Sequence, residues 1–286
     1  MAIFQHPSHP EVKIHYEILE GLSEIDLFFI HGNLASRHWW YPSLEIMRKK
    51  QSGLNGSRSG RIVLAEFRGC GESSPPRSFD DVKMELFAED FILLSRFLDL
   101  KNSLIVGHST GGFIAALMMA QEPALYSGAL LLDPVGMKGV NFDSSMKQAF
   151  EQMKSDKDLL ALVLGGTIYN LSPKDPFFRN VLVEDGFKSV KNVGHWVIQA
   201  LDGVNIESRV QKIQKPVLVL HGEFDTLLPQ KESEEFARNL PQGQFEVIPG
   251  QGHCCNYENP ELFVTRLIQF ISEVEKPSKA PRAGQL

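Results

Sequence analysis

The sequence predicts an α/β fold: a mostly parallel central sheet flanked by helices, with a helical cap inserted into it. Three observations carry that expectation. Short apolar runs ending in turn residues alternate with stretches of helical period. Most of these runs are continuously apolar, as strands covered on both faces of a parallel sheet must be. One connection, residues 134–215, is far longer than the roughly 30 residues of a βαβ unit.

In chain order, Glu11 to Glu20 reads as antiparallel edge strand. Asp26-Leu-Phe-Phe-Ile-His-Gly32 is the first buried strand and Trp39 to Lys50 the first helix. Lys49 to Arg61 is rich in Gly, Ser and Lys and contains Asn55-Gly56, so an exposed loop is expected. Arg61 to Phe67 is a strand. Val82 to Leu100 is a helix, with Leu86, Phe87, Phe91, Leu94 and Leu98 near i, i+3, i+4 spacing. Ser103 to His108 and Ala129 to Asp133 are strands around a helix at Gly112 to Ala120. Inside the long connection, Ser145 to Met153, Asp156 to Leu164 and Lys188 to Leu201 have helical patterns. A structureless loop of that length is uncommon, so residues 135–206 are expected as a helical cap between core segments 1–134 and 207–275. The second core segment holds strands Pro216 to His221 and Gln244 to Ile248, and helices Gln230 to Leu240 and Pro260 to Val274. Residues 276–286 are polar with Pro and Gly, and a disordered tail is expected there.

Composition bounds the function classes. With 286 residues, 43% hydrophobic and 22% charged, the chain can bury a core and a walled pocket. Its net charge of −6 and lack of a basic stripe argue against general nucleic-acid binding, which needs clustered Lys and Arg. Three cysteines, two of them adjacent, are no disulfide framework and suit a reducing compartment. No signal-peptide pattern opens the chain. Its longest apolar run, Phe113 to Ala120, falls well short of the ~20 residues of a membrane span. A soluble cytoplasmic protein without a membrane span is expected; the sequence leaves the oligomeric state open.

The chemistry-bearing residues begin with Gly107-His108-Ser109-Thr110-Gly111. The serine directly follows an apolar strand and precedes a small-residue helix start. In such a strand–turn–helix the flanking glycines relieve crowding and the hydroxyl projects at the sheet edge. A phosphate-binding turn is the competing reading, but the spacing of a dinucleotide motif and the lysine of a P-loop are both missing. A serine hydroxyl needs a base, and the base an orienting carboxylate. Asp225 lies four residues past the strand Pro216 to His221, and His253 five past Ile248. Loops at strand ends are where an open α/β sheet places its site. His195 and His221 are weaker candidates for the base. The turn His31-Gly32-Asn33-Leu34 follows the first buried strand, so the Asn33 N–H, with that of Thr110, is expected to form an oxyanion hole. No metal site is expected: His6 and His9 lie in a segment read as mobile, and no other cluster has ligand spacing. Cys254 and Cys255 are read as buried loop thiols.

Together these pieces resemble the α/β-hydrolase superfamily over residues 10 to 275. Glu66-Phe-Arg-Gly-Cys-Gly-Glu-Ser is similar to that family's Asp-x-Arg-Gly-x-Gly-x-Ser, and Asn259-Pro260-Glu-Leu-Phe resembles the helix that follows its catalytic histidine. The resemblance implies the α/β-hydrolase fold and a triad of Ser109, Asp225 and His253. It also trims the subfamilies. Haloalkane dehalogenases and epoxide hydrolases use an Asp nucleophile where this chain has Ser109. The glycine-rich oxyanion loop of one lipase group, the elbow of proline iminopeptidases and the long oxyanion loop of meta-cleavage C–C hydrolases are missing from the sequence. What remains resembles capped carboxylesterases and lactonases: a cofactor-free serine hydrolase that cleaves an ester, lactone or thioester of a small-to-medium apolar acyl group. The alternatives are a small-molecule signal receptor with an intact triad and slow turnover, or C–C bond or haloperoxidase-like activity on the same fold. Leu34, His108 and Trp196 are the expected substrate contacts. Of the cap rings Phe142, Phe150, Tyr169, Phe177, Phe178, Phe187 and Trp196, most are expected to hold the cap together. Trp39, Trp40 and Tyr41 are expected in helix packing rather than at the substrate.

Overall fold

The computed structural model describes residues 2–21, 23–51, 60–172 and 174–275. Most of the loop expected at 49–61, and all of the tail at 276–286, lie outside them. The strands are β1 (Ala2–Gln5), β2 (Lys13–Glu20), β3 (Leu27–Ile30), β4 (Arg61–Ala65), β5 (Ser103–His108), β6 (Tyr126–Leu132), β7 (Val217–Gly222) and β8 (Gly243–Ile248). They form one sheet in the order β1-β2-β4-β3-β5-β6-β7-β8. β1 and β2 pair antiparallel, as do β2 and β4, and every pairing from β4 to β8 is parallel.

Continuous apolarity has the expected cause. Along β3, Phe28 and Ile30 enter one core cluster while Leu27 and Phe29 enter another; Ile105 and its neighbours Leu104 and Val106 split the same way on β5. Successive side chains point to opposite faces, and here both faces are covered. Helices α1 (Tyr41–Gln51), α2 (Met84–Phe97) and α3 (Thr110–Gln121) fall where helical period placed them. The intervening segment carries α4 (Ser144–Met153), α5 (Lys157–Gly165), α6 (Val183–Val193) and α7 (Trp196–Gln199). After it come α8 (Glu207–Val210), α9 (Gln230–Asn239), α10 (Cys255–Glu258) and α11 (Pro260–Glu275). One face of the sheet is covered by α2, α3 and α9, the other by α1 and α11. A third apolar cluster joins Met153, Leu160, Leu164, Leu182 and Val190 to Leu34, Trp39 and Cys254, tying the cap-region helices to loops at the strand ends.

Two expectations change. The helix expected over Lys188 to Leu201 starts earlier and breaks at Gly194, whose φ of 52° closes α6 before α7 begins. The segment at His6 and His9 is anchored rather than mobile. β1 pairs with β2, His6 is buried, and its Nδ1 accepts the Ser8 and His9 N–H groups at 3.1 and 3.0 Å. No described helix is long and apolar enough to cross a membrane.

Candidate active site

Five loops at the C-terminal ends of parallel strands converge here. Ser109 follows β5 and caps α3 with φ 54° and ψ −120°, a left-handed backbone that a β-carbon makes costly. The two glycines of the turn are required by close approach. A Cβ at Gly107 would lie 2.5 Å from the Gly111 carbonyl oxygen, and one at Gly111 2.4 Å from that of Ile30. The Ser109 N–H donates to Leu132 O at 2.9 Å, and its carbonyl accepts from Gly112 and Val135. The strained turn is thus held from both flanking elements.

Asp225 and His253 meet across the loops after β7 and β8. His253 Nδ1 donates to Asp225 Oδ2 at 2.7 Å, while Asp225 Oδ1 accepts the Leu227 and Leu228 N–H groups at 2.7 and 3.1 Å. Burial opposes ionisation of Asp225, but the hydrogen bond and charge of His253, with those amides, hold its carboxyl below the ordinary value. The Asp225 bond occupies Nδ1 and leaves Nε2 as the free nitrogen of the His253 ring. Ser109 Oγ makes no hydrogen bond to His253 among the described residues.

Two groups hold the His253 loop: His108, expected only as a substrate contact, and Glu258, to which sequence reasoning gave no role. His108 Nε2 donates to the His253 carbonyl at 2.9 Å. Burial, then the nearby His253, pushes the His108 pKa down to about 3, so its ring is neutral. Glu258 accepts from Gly252 N at 2.6 Å and Cys254 N at 3.1 Å, bracketing the histidine, and from Tyr169 N at 3.0 Å. Its position five residues past His253 was the only signal in the sequence.

A cavity of about 580 Å³ opens onto Ser109, Thr110 and His253. Gly32, Asn33, Leu34 and His108 line it. Trp196 does not: it is half-buried and packs against the main core. Of the cap rings only Phe150 reaches this cavity; Tyr169 and Phe177 line a second one, about 620 Å³. Trp39, expected in packing alone, also lines this cavity, because it faces the cap while Trp40 enters the core. Helical period places Trp39 on the helix but cannot say that a cap will cover it. Cys254 lines the cavity as a buried thiol, its pKa pushed far up by burial.

A second Ser/His/Asp set lies behind the first. His221 Nδ1 is 3.0 Å from Ser233 Oγ and 3.3 Å from Asp133 Oδ1. Both partners share one ring nitrogen, whereas a relay needs the serine on one nitrogen and the carboxylate on the other. Ser233 is fully buried, and none of the three lines the cavity. Burial, and then the charge of Asp225, pushes the Asp133 pKa well above its ordinary value; its Oδ1 accepts the Gly222 N–H at 2.8 Å. Asp133, Asp225 and His253 place their donor atoms within 4.8 Å of one another. The set is joined internally: Asp225 accepts from His253 Nδ1, and the side-chain contact of Asp133 with Asp225 adds to the rise in the Asp133 pKa.

Comparison with known proteins gives the same frame. A family model described as alpha/beta hydrolase fold matches residues 27–260. The uncharacterized hydrolase YugF of Bacillus subtilis is 24% identical over 272 residues, covering 91% of this chain and 94% of its own. Among solved structures, a putative aryl esterase from Burkholderia cenocepacia superposes with TM-score 0.79 at 21% identity, covering 96% and 98% of the two chains. The esterase EaEST from Exiguobacterium antarcticum does so with TM-score 0.78 at 20% identity, covering 94% and 98%.

Proposed function

The chain belongs to the α/β-hydrolase fold family, and from that premise we propose that it is a serine hydrolase. It cleaves carboxylic esters, lactones and thioesters among them, of small-to-medium apolar acyl groups through an acyl-enzyme on Ser109. The observation that carries the proposal is a mainly apolar cavity into which the strained Ser109 turn and the Asp225-bound His253 both open. The names of the two similar esterases agree with it.

In the first step Ser109 Oγ attacks the ester carbonyl carbon and its proton passes to His253 Nε2. Asp225 stays ionised; it fixes the tautomer of His253 and stabilises the imidazolium. The oxyanion is held by the Asn33 and Thr110 N–H groups. That of Thr110 opens α3 and so is one of the N–H groups a helix leaves without an intrahelical acceptor. The imidazolium then protonates the leaving oxygen, or sulfur in a thioester. Water, deprotonated by His253, frees the acid in the second half. Leu34 and Phe150 border the acyl group, and residues 135–206 act as a cap over it. We place the protein in the cytoplasm, where the thiols of Cys70, Cys254 and Cys255 stay reduced.

The test is steady-state hydrolysis of activated esters of graded acyl length, a thioester and simple lactones, with Ser109→Ala as control. Sustained turnover lost in the variant is expected. A single stoichiometric acylation without turnover would contradict it and point to a receptor instead.

A further inference from the structure

The catalytic cavity carries a carboxylate that ester hydrolysis does not require and that the described residues leave without a partner. Glu232, in the first turn of α9, is half-buried and lines the cavity wall. Its carboxylate has no hydrogen-bond or ion-pair partner among the described residues. Burial raises its pKa, and the neighbouring charge of Glu235 adds to the rise. The wall opposite makes room for it: a Cβ on Gly136 would come within 2.6 Å of Glu232 Oε2. Gly136 follows Val135, whose N–H donates to the Ser109 carbonyl at 3.2 Å, so the carboxylate abuts the residue next to a backbone partner of the nucleophile. Among the described residues, no lysine or arginine lines the cavity. Its other ionisable groups are the catalytic His253, the neutral His108, the buried Cys254 thiol and Asp143, a carboxylate that already has partners in the Ser145 hydroxyl and the Met146 N–H at the start of α4. A partly desolvated carboxylate without a partner is costly until a ligand supplies one.

We infer that the substrate carries a cationic ammonium group which pairs with Glu232, and that the same charge rejects esters bearing a free carboxylate. The inference rests on the serine-esterase reading of this cavity. An ammonium gains a charge-assisted hydrogen bond there, whereas a second carboxylate meets repulsion in a site with no cation to offset it.

Matched aryl esters test it, with an aminomethyl, ethyl or carboxymethyl substituent placed on the leaving group in one series and on an aromatic acyl group in the other. In the wild type, kcat/KM in at least one series should favour the ammonium ester over the neutral one by about tenfold or more, with the carboxylate ester poorest. E232Q should bring the ammonium-to-neutral ratio close to one, and E232K should reverse the order in favour of the carboxylate. These ratios do not depend on what fraction of each variant is folded. Turnover without charge preference in either series, or an ammonium-to-neutral ratio unchanged in E232Q, overturns the inference and leaves the esterase reading standing. Failure to turn over any ester, neutral ones included, overturns both.

Discussion

Asp225 and Asp133 both follow parallel strands, and the roles assigned to them differ through their environments. His253 and two backbone amides hold the Asp225 pKa down, whereas burial and the charge of Asp225 push that of Asp133 up. Asp225→Asn should therefore lose on the order of 10⁴ in kcat, because the amide no longer stabilises the required tautomer and cation. Asp133→Asn, which keeps an oxygen to accept the Gly222 N–H and lies off the cavity wall, should lose far less. Measuring kcat and thermal midpoints of both variants side by side decides it. A dead Asp133→Asn beside an active Asp225→Asn would reverse the assignment. At this scale Ser109, Asp225 and His253 are legible in the sequence, because each sits at a fixed distance past an apolar strand. Glu232 and Trp39 are not: their importance depends on which walls close around a cavity, and no local spacing encodes that.

The element that presents His253 is the loop from β8 to α10, and its conformation depends on Glu258. The carboxylate takes N–H groups on both sides of the histidine and one from Tyr169 in the segment after α5. Bonds to a charged acceptor are among the stronger ones a loop can have. Glu258→Ala should lower kcat by roughly 10²-fold, as a small misplacement of a catalytic group does, while KM changes less. Glu258→Gln, which keeps one carbonyl acceptor, should recover part of that loss. Full activity in the alanine variant would show that the loop holds itself. The helix at α6 teaches the complementary lesson. Periodicity finds a helix near residues 188–201 but runs through Gly194, since a single glycine in a periodic segment does not announce the sign of its φ.

Across the whole molecule, the sheet and its covering helices are readable from the sequence because strands buried on both faces are apolar throughout. The antiparallel β1 is not, since its four residues show only one buried side chain, Phe4. Near that edge a buried cluster holds the segment that follows the Gly32–Leu34 turn: Glu66 pairs with His15 at 3.1 Å and Arg37 at 2.8 Å and accepts the Arg37 and Glu72 N–H groups. Burial disfavours its ionisation, yet His15, the Glu72 N–H and Arg37 together hold its pKa at about 2, against an ordinary value of 4.5. A depressed carboxylate pKa stabilises the fold fully above the unfolded value and loses that contribution as pH falls toward the folded one. The thermal midpoint should therefore drop between pH 4.5 and about 2, with a flatter drop in Glu66→Gln. An equal slope in the two proteins would remove Glu66 from the acid response. The central claim is that the molecule directs its loops to one reactive serine, Ser109, and leaves Ser233 inert behind it. Labelling with a fluorophosphonate followed by peptide mapping tests this most directly. One adduct per chain on Ser109, lost in Ser109→Ala and kept in Ser233→Ala, is the predicted result; an adduct on Ser233, or full labelling of Ser109→Ala, would contradict it.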